Sequence, residues 1–445
     1  MKDSHSIEAS IGMDLYSTAT PGIGGRLKSR FEDFLVEEIT PDGNTLTIQD
    51  WPEATHIDQI RGERSKYVNF VVQKMGLSTF DVSAILAAEL KIPHHMITYA
   101  GLKDKRAVTS QMMSIPSSAT DRFNDMKLSR IAIREPQYAR RAIQIGDLWG
   151  NRFTIRLSDM DVDCSEALSA VQELKRARLL NYFGVQRFGV TRPYTHLVGR
   201  SLVKRDFEEA TRILLTATSE YESEQLTEVR ERLAENLLPD NSMLEVFPRE
   251  LSYEKDVMRQ LMKHPGDYKK ALSKIRSRIL GIFVHSYQSY LFNRLISLRV
   301  KSELPIDRPE PGDFMIRLDE THSGRDEWLY VTEQNRENRM ELLLSGDYGL
   351  AAPLPGYSTK TPPSTQSELL QKVLSDEDVT LAEFRNPEWK ALDSPGGLHL
   401  LTFEPTQIEE LCDDLGLVLK FRLRKGSYAT VVMRELMKNH PIHRV

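Results

Sequence analysis

Tyr99-Ala-Gly-Leu-Lys-Asp-Lys-Arg-Ala-Val-Thr-Ser-Gln111 sets one carboxylate, Asp104, among Lys103, Lys105 and Arg106, directly after an apolar segment. Nearby cations favour the charged form of a carboxylate, so an aspartate in this setting is available as a nucleophile or electrostatic catalyst where phosphates are attracted. As a bare tetrapeptide, Lys-Asp-Lys-Arg is more commonly a solvated charged turn. Met96-Ile-Thr-Tyr-Ala100 is short and rich in strand formers, and Gly101 signals a turn, so the pattern predicts Asp104 on a loop at a strand end. Catalytic groups concentrate on loops held by a rigid scaffold.

Upstream, Thr45 to Trp51 and Tyr67 to Gln73 alternate as strands do, and Ser78-Thr-Phe-Asp81 predicts a capped helix start before Val82, Ile85, Leu86 and Leu90. Downstream, Phe153, Ile155 and Leu157 alternate with polar residues, and Leu417, Leu419, Phe421 and Leu423 repeat the pattern. Opposite the latter, Lys420, Arg422 and Arg424 form a cationic stripe, suited to tracking phosphates or to an ordinary solvated strand face. From about Arg200 to Leu280 the chain changes to charged helical patterns such as Asp206–Leu215 and Glu222–Leu238, and His285 to Lys301 continues as a mostly apolar helix. Ala351 to Ser364 reads as a loop or linker by its prolines, and strand-like patterning returns only near His399.

The chain has 445 residues, 40% of them apolar, enough for two or three domains with real cores. It contains no run of 18 or more apolar residues and no apolar leader, which predicts a cytoplasmic protein with no membrane contact. Cys164 and Cys412 are too few for a disulfide framework, and no Cys-x-x-Cys pair offers a zinc site. His94-His95 and His440-x-x-His443 are weak metal signals, Pro21-Gly-Ile-Gly-Gly25 lacks a dinucleotide-binding spacing, and a Walker loop is absent. The net charge of −5 hides an asymmetry. Between Gly101 and Arg156 eleven basic residues face five acids, and from Lys420 onward seven face Glu435 alone. Such basic segments fit nucleic acid or a small polyanionic substrate.

The run at 99–111 resembles, nearly letter for letter, the AGxKDxxAVTxQ signature of the TruD family of tRNA pseudouridine synthases, whose aspartate is the nucleophile; Asp104 takes that position. Asn181-Tyr-Phe-Gly-Val-Gln-Arg-Phe-Gly189 resembles the family's NxFGxQRFG motif, and Lys28-Ser-Arg-Phe-Glu-Asp-Phe-Leu-Val-Glu-Glu38 its KxxPEDFxVxE element. Gly150-Asn-Arg-Phe-Thr-Ile-Arg-Leu157, Ser286-Tyr-Gln-Ser-Tyr-Leu-Phe-Asn293 and Gly426-Ser-Tyr-Ala-Thr430 are similar to further family blocks. Phe31 departs from the pattern, standing where the family usually has Pro.

The resemblance implies an α/β (α+β) fold in which a mixed, mainly antiparallel catalytic sheet of pseudouridine synthase type is interrupted by an inserted α/β TRUD domain. With the composition shift, the expected domains are 1–199 and 399–445 for the catalytic part and 200–398 for the insertion. It implies a stand-alone tRNA pseudouridine synthase acting on uridine 13 without cofactor or metal, a monomer whose partner is tRNA. Asp104 would attack C1′ of the ribose or C6 of the base, with Lys28 as the family's active-site lysine. Lys105 and Arg106 could serve in its place or bind phosphates. Phe183 and Phe34 are candidates for stacking on the extruded uridine, core packing being the competing reading. Asn181 would orient Asp104 or hydrogen-bond uracil, and Gln186 and Arg187 would contact RNA or brace the loop. Two other classes stay open: an RNA-binding protein or tRNA chaperone with a vestigial pocket, and a metal-dependent nuclease. The first has no use for a lone carboxylate beside phosphates, and the second needs a carboxylate cluster that Asp104 lacks.

Overall fold

The structure, a computed structural model, describes all residues except 1, 52–56, 58, 319–327 and 445. Two sheets organise it. In chain order the strands are β1 Phe34–Ile39, β2 Tyr67–Met75, β3 Val108–Pro116, β4 Ile131–Ala139, β5 Gly150–Met160, β6 Phe314–Arg317, β7 Trp328–Tyr330, β8 Tyr348–Leu354, β9 Gly397–Leu400, β10 Thr406–Asp413 and β11 Gly416–Arg424. The larger sheet runs β10-β11-β5-β1-β3-β2-β4 and the smaller β7-β6-β8-β9. Only the β1–β3 pair of the larger sheet's path is parallel, so the fold is mixed and mainly antiparallel, as expected. One compact unit holds Thr18–Leu179 and Phe403–Val445 with the larger sheet; the other holds Met1–Ser17 and Leu180–Arg317 and runs up to Thr402 with the smaller. The packing thus divides near 179 and 402, where the sequence places boundaries at 199 and 398.

In the first unit, alternation in β5 and β11 does what the sequence predicts. Phe153, Ile155 and Leu157 pair in register with Phe421, Leu419 and Leu417, and all six are buried. Ala167, Val171 and Leu174 of the helix Cys164–Arg176 and Val432 and Leu436 of the helix Ala429–Met437 join the same cluster. Burying each large side chain of this kind is worth about 1.5–3 kcal/mol. The opposite face is a network of internal ion pairs. Arg152 meets Glu37 at 2.5 Å, Arg156 meets Asp413 at 2.6 Å, and Lys420 meets Glu409 at 3.0 Å. Arg424 donates to the Leu318 carbonyl and lies over Trp149, so the stripe of Lys420, Arg422 and Arg424 is largely committed within the protein.

Three expectations need correction. Thr45 to Trp51 is not a strand, although Thr45 bridges Ile39. Side chains replace its ladder: Ile48 N–H donates to Glu37 Oε1, and Gln49 exchanges both backbone bonds with the Gln73 amide. The supposed linker from Ala351 begins as β8, where Pro353 sits in register opposite Leu398, and β6 to β8 precede the return of strands near His399. Strands of three or four residues are too short for a period to show. Finally, Cys164 and Cys412 do pair, as a disulfide with Cα atoms 5.7 Å apart.

The second unit is mainly helical around the long helix Ser277–Lys301. The helix Thr195–Val203 approaches it so closely that a Cβ on Gly199 would stand 2.0 Å from the Phe283 carbonyl oxygen, which requires glycine there. Arg230, fully buried, is satisfied by the Leu215 carbonyl and both Glu222 oxygens. Met315, Leu350 and Ala352 direct one face of the smaller sheet into the helical core.

The disulfide ties edge strand β10 to the start of a helix across 248 residues. Cys164→Ser should lower the unfolding free energy of this unit by about 2–4 kcal/mol in urea titrations. Reductant should reproduce that loss in the wild type and leave the variant unchanged.

Candidate active site

The segment Gly101–Ala107 joins the short strand Thr98–Tyr99 to β3, its antiparallel neighbour, so Asp104 lies on a loop at a strand end as predicted. Side chains fasten this loop at successive points. Gln111 Nε2 donates to the Gly101 carbonyl, and Gln111 Oε1 accepts from the Thr79 hydroxyl, which itself accepts the Lys103 N–H at 3.0 Å. The Lys103 ammonium turns inward onto Glu38 at 2.6 Å, both side chains being almost fully buried. Glu38 is held in turn by the Met112 N–H. Lys103 therefore adjoins Asp104 in sequence but serves as an anchor beneath the loop.

Lys74 is the second anchor. Its ammonium, fully buried on β2, donates to the Leu77 and Asp104 carbonyls, each at 2.7 Å. Burial pulls its pKa down to about 8; the charge of Lys103 pushes the same way, while Asp104 and Asp81 oppose it. The anchoring sets the backbone and leaves the Asp104 side chain 34% exposed, open to a substrate.

The cation facing that carboxylate is Lys28, whose Nζ stands 3.5 Å from Asp104 Oδ1 although the side chain is 3% exposed. Lys28 adopts φ 58°, a left-handed conformation that costs a non-glycine residue about 1–3 kcal/mol. Its ammonium sits 4.4 Å above the Phe34 ring, which meets Phe153 edge-on at 6.2 Å. Phe34 is 1% exposed, so its face supports Lys28 and is closed to a base, a correction to its reading as a stacking residue. Lys105 and Arg106 are exposed on the loop, and Lys105 lies 3.9 Å from Asp81.

Asn181, Phe183, Gln186 and Arg187 belong to the other unit, where they form a second cluster. Asn181 Nδ2 lies 3.1 Å from His399 Nε2, and Phe183 stacks on the same imidazole at 4.5 Å with Phe292 edge-on. Burial holds the His399 pKa at about 4, a hydrogen bond to the Asn181 backbone opposing and the Arg187 charge reinforcing. The ring is thus neutral at pH 7, and Nε2 accepts from Asn181. Asn181 Oδ1, also buried, has no hydrogen-bond partner among the described residues. Ser286, Ser289 and Asn293, three and four residues apart, share one face of the long helix. Asn293 takes both the N–H and the carbonyl of Phe183, Ser286 donates to the Arg187 carbonyl, and Ser289 accepts from Arg187 Nε. Phe183 is 6% exposed and packed on a ring, which again favours the core reading over an open stacking face, and Gln186 is exposed.

Sequence reasoning missed Lys74, Thr79, Glu38 and His399. Lys74 carried a signal, being the one charge on the strand face of Val68, Phe70 and Val72. His399 carried none. Among the described residues no group of three or more His, Cys, Asp or Glu could hold a metal ion, and no helix is long and apolar enough to cross a membrane.

Comparison with known proteins gives concordant matches. The family model for tRNA pseudouridine synthase D (TruD) matches residues 10–436. A protein of Methanococcoides burtonii named for that activity is 33% identical, covering 99% of each chain. One from Thermococcus gammatolerans is 34% identical over 94% of this chain and 96% of its own. The crystal structure of a Methanosarcina mazei protein described as TruD superimposes with a TM-score of 0.79 at 30% identity, covering 99% of this chain and all of the other.

The anchoring predicts a measurable cost. Lys74→Met would leave two carbonyls unpaired under the loop and should lower stability by about 1–3 kcal/mol in urea. Amide exchange at residues 102–106 should accelerate by more than that global loss explains. Unaltered exchange there would show that the loop does not depend on Lys74.

Proposed function

Because the chain belongs to the tRNA pseudouridine synthase D family, a family of isomerases, we propose that it converts uridine to pseudouridine in tRNA, at uridine 13, with Asp104 as nucleophile. The observation that carries this reading is the Lys28–Asp104 pair: a buried ammonium beside a carboxylate one-third open to solvent, on a loop fixed from below. The reaction is an isomerisation. The bond from N1 to C1′ breaks, the uracil turns, C5 bonds to C1′, and the proton lost from C5 is balanced by one gained at N1. No redox step and no cofactor enter.

Asp104 attacks C1′ or C6, and either route needs an ionised carboxylate positioned close to the sugar. Lys28 balances that charge without covering the carboxylate, since it approaches from the buried side above Phe34. The exposed Lys105 and Arg106 on the same loop meet phosphates of the RNA backbone. The uridine is extruded from its stack to reach Asp104, as enzymes acting on a base inside a structured nucleic acid require. Chelators leave the reaction unaffected.

Unmodified tRNA transcripts incubated with wild type and with Asp104→Asn, then mapped by carbodiimide adducts and primer-extension stops, test the reading. Wild type should give a stop at uridine 13, and the variant should lose turnover by at least about 10³-fold while binding tRNA within a few-fold of wild type. Retained turnover in the variant would exclude Asp104 as nucleophile; tRNA binding without a stop from either protein would favour an RNA-binding role. Binding should also weaken steeply as salt rises from about 50 to 200 mM.

A further inference from the structure

The smaller sheet has a face where an antiparallel sheet ordinarily places polar residues. Its register sets Ile316 opposite Trp328 and Phe314 opposite both Tyr330 and Ala351, which puts these side chains together on the face away from Met315 and Leu350. Phe314, Ile316 and Ala351 bury one another there with help from Leu398 and Leu400. Two aromatic rings stay outside this cluster: Trp328 is 41% exposed and Tyr357, just beyond β8, is 37% exposed. Trp328 meets Phe314 edge-on at 5.5 Å, and the Arg385 guanidinium lies 5.5 Å over the Tyr357 ring.

Both rings line a cavity of about 450 Å³ whose wall also includes Phe314, Pro353 and Lys360. The walls are built, not loose. Tyr357 and Ser358 donate their N–H groups to the Ser394 and Pro395 carbonyls, and Gly356 N–H donates to Thr359 Oγ1 at 2.9 Å. Gly396 has φ 82°, and a Cβ there would stand 2.5 Å from the Leu354 carbonyl oxygen, so glycine is needed to close the wall. At Gly397 a Cβ would meet nothing within 4 Å, which leaves that side of the cavity open.

We propose that this cavity takes one unpaired nucleobase of the RNA substrate, stacked on Trp328 and Tyr357, with Lys360 meeting the adjoining phosphate. The inference rests on the tRNA reading proposed above. Exposed aromatic faces on a sheet are platforms on which any base stacks, and a cation at the rim suits the phosphate that every nucleotide carries. The volume lies at the small end of ligand cavities, fit for a single base and its sugar and too small for a folded element. The exposed Lys360 and Arg385 match an anionic ligand, which an apolar peptide would not use.

Filter binding of an unmodified tRNA transcript to the full chain at fixed salt tests this. Trp328→Ala and Tyr357→Ala should each weaken binding by about tenfold, and Trp328→Phe should restore it to within about threefold. Lys360→Glu, an exposed change that leaves the fold alone, should weaken binding and reduce the salt slope by about one unit or more. Affinities within twofold of wild type for all three pocket variants would overturn the proposal, as would a Trp328→Phe protein as weak as Trp328→Ala. Pseudouridine mapping on the same proteins separates the two readings. A wild type that modifies tRNA with no penalty at Trp328 or Tyr357 retains the enzyme and removes the pocket, whereas ring-dependent affinity without pseudouridine removes the enzyme and retains the pocket.

Discussion

Two lysines buried beneath one loop govern the geometry of the candidate active site. Removing an ammonium from water is expensive, and each must find oxygen atoms where it lies. Lys103 finds a carboxylate, Glu38, at 2.6 Å; Lys74 finds only carbonyls, one of them that of Asp104 itself. Burial outweighs the nearby carboxylates and drives the Lys74 pKa down to about 8. Fixing the backbone in this way decides where the Asp104 side chain goes. With its carbonyl pulled inward and its neighbour Lys103 turned under the loop, the carboxylate is left facing Lys28 and solvent. The nucleophilic role proposed for Asp104 needs that combination of fixed backbone and open oxygen.

The second cluster solves the same problem by different means. Residues 181–187 have little regular structure, so their backbone groups need partners from elsewhere. The long helix supplies them from one face, through Ser286, Ser289 and Asn293, and the Asn293 amide alone satisfies both backbone groups of Phe183. The block Ser286–Asn293 thus has a structural explanation in helical spacing. His399 completes the cluster by stacking and by accepting from Asn181, roles that only a neutral imidazole can combine.

What was legible in the sequence followed the strength of the local signal. The alternation in β5 and β11, the capping box at Ser78 and Asp81, and the strand–turn placement of Asp104 were each written within a dozen residues. The segment 45–51 alternates just as well, yet side chains of Glu37 and Gln73 took its ladder positions, a tertiary competition that no window of sequence reveals. β6 and β7 are too short to show a period. In the site, motif residues identified where chemistry gathers but not which way each side chain turns. Lys103 and Phe34 stand within the motifs and end as supports, and the anchor Lys74 lies 30 residues before Asp104.

That distinction between adjacency and orientation bears on how a protein of net charge −5 could hold a polyanion. Counting basic residues overstates the available charge, because Arg141, Arg152, Arg156 and Lys420 are engaged by carboxylates. Affinity for phosphate scales with the cations free to displace counterions, not with their number in a segment. Exposed residues such as Arg106, Lys360 and Arg385 are therefore worth more to the proposed RNA substrate than the denser paired networks on the sheet. With its electrostatics so divided, recognition of the proposed RNA substrate gains from contacts that do not depend on charge. Aromatic faces left open to solvent are the contacts that every base can use.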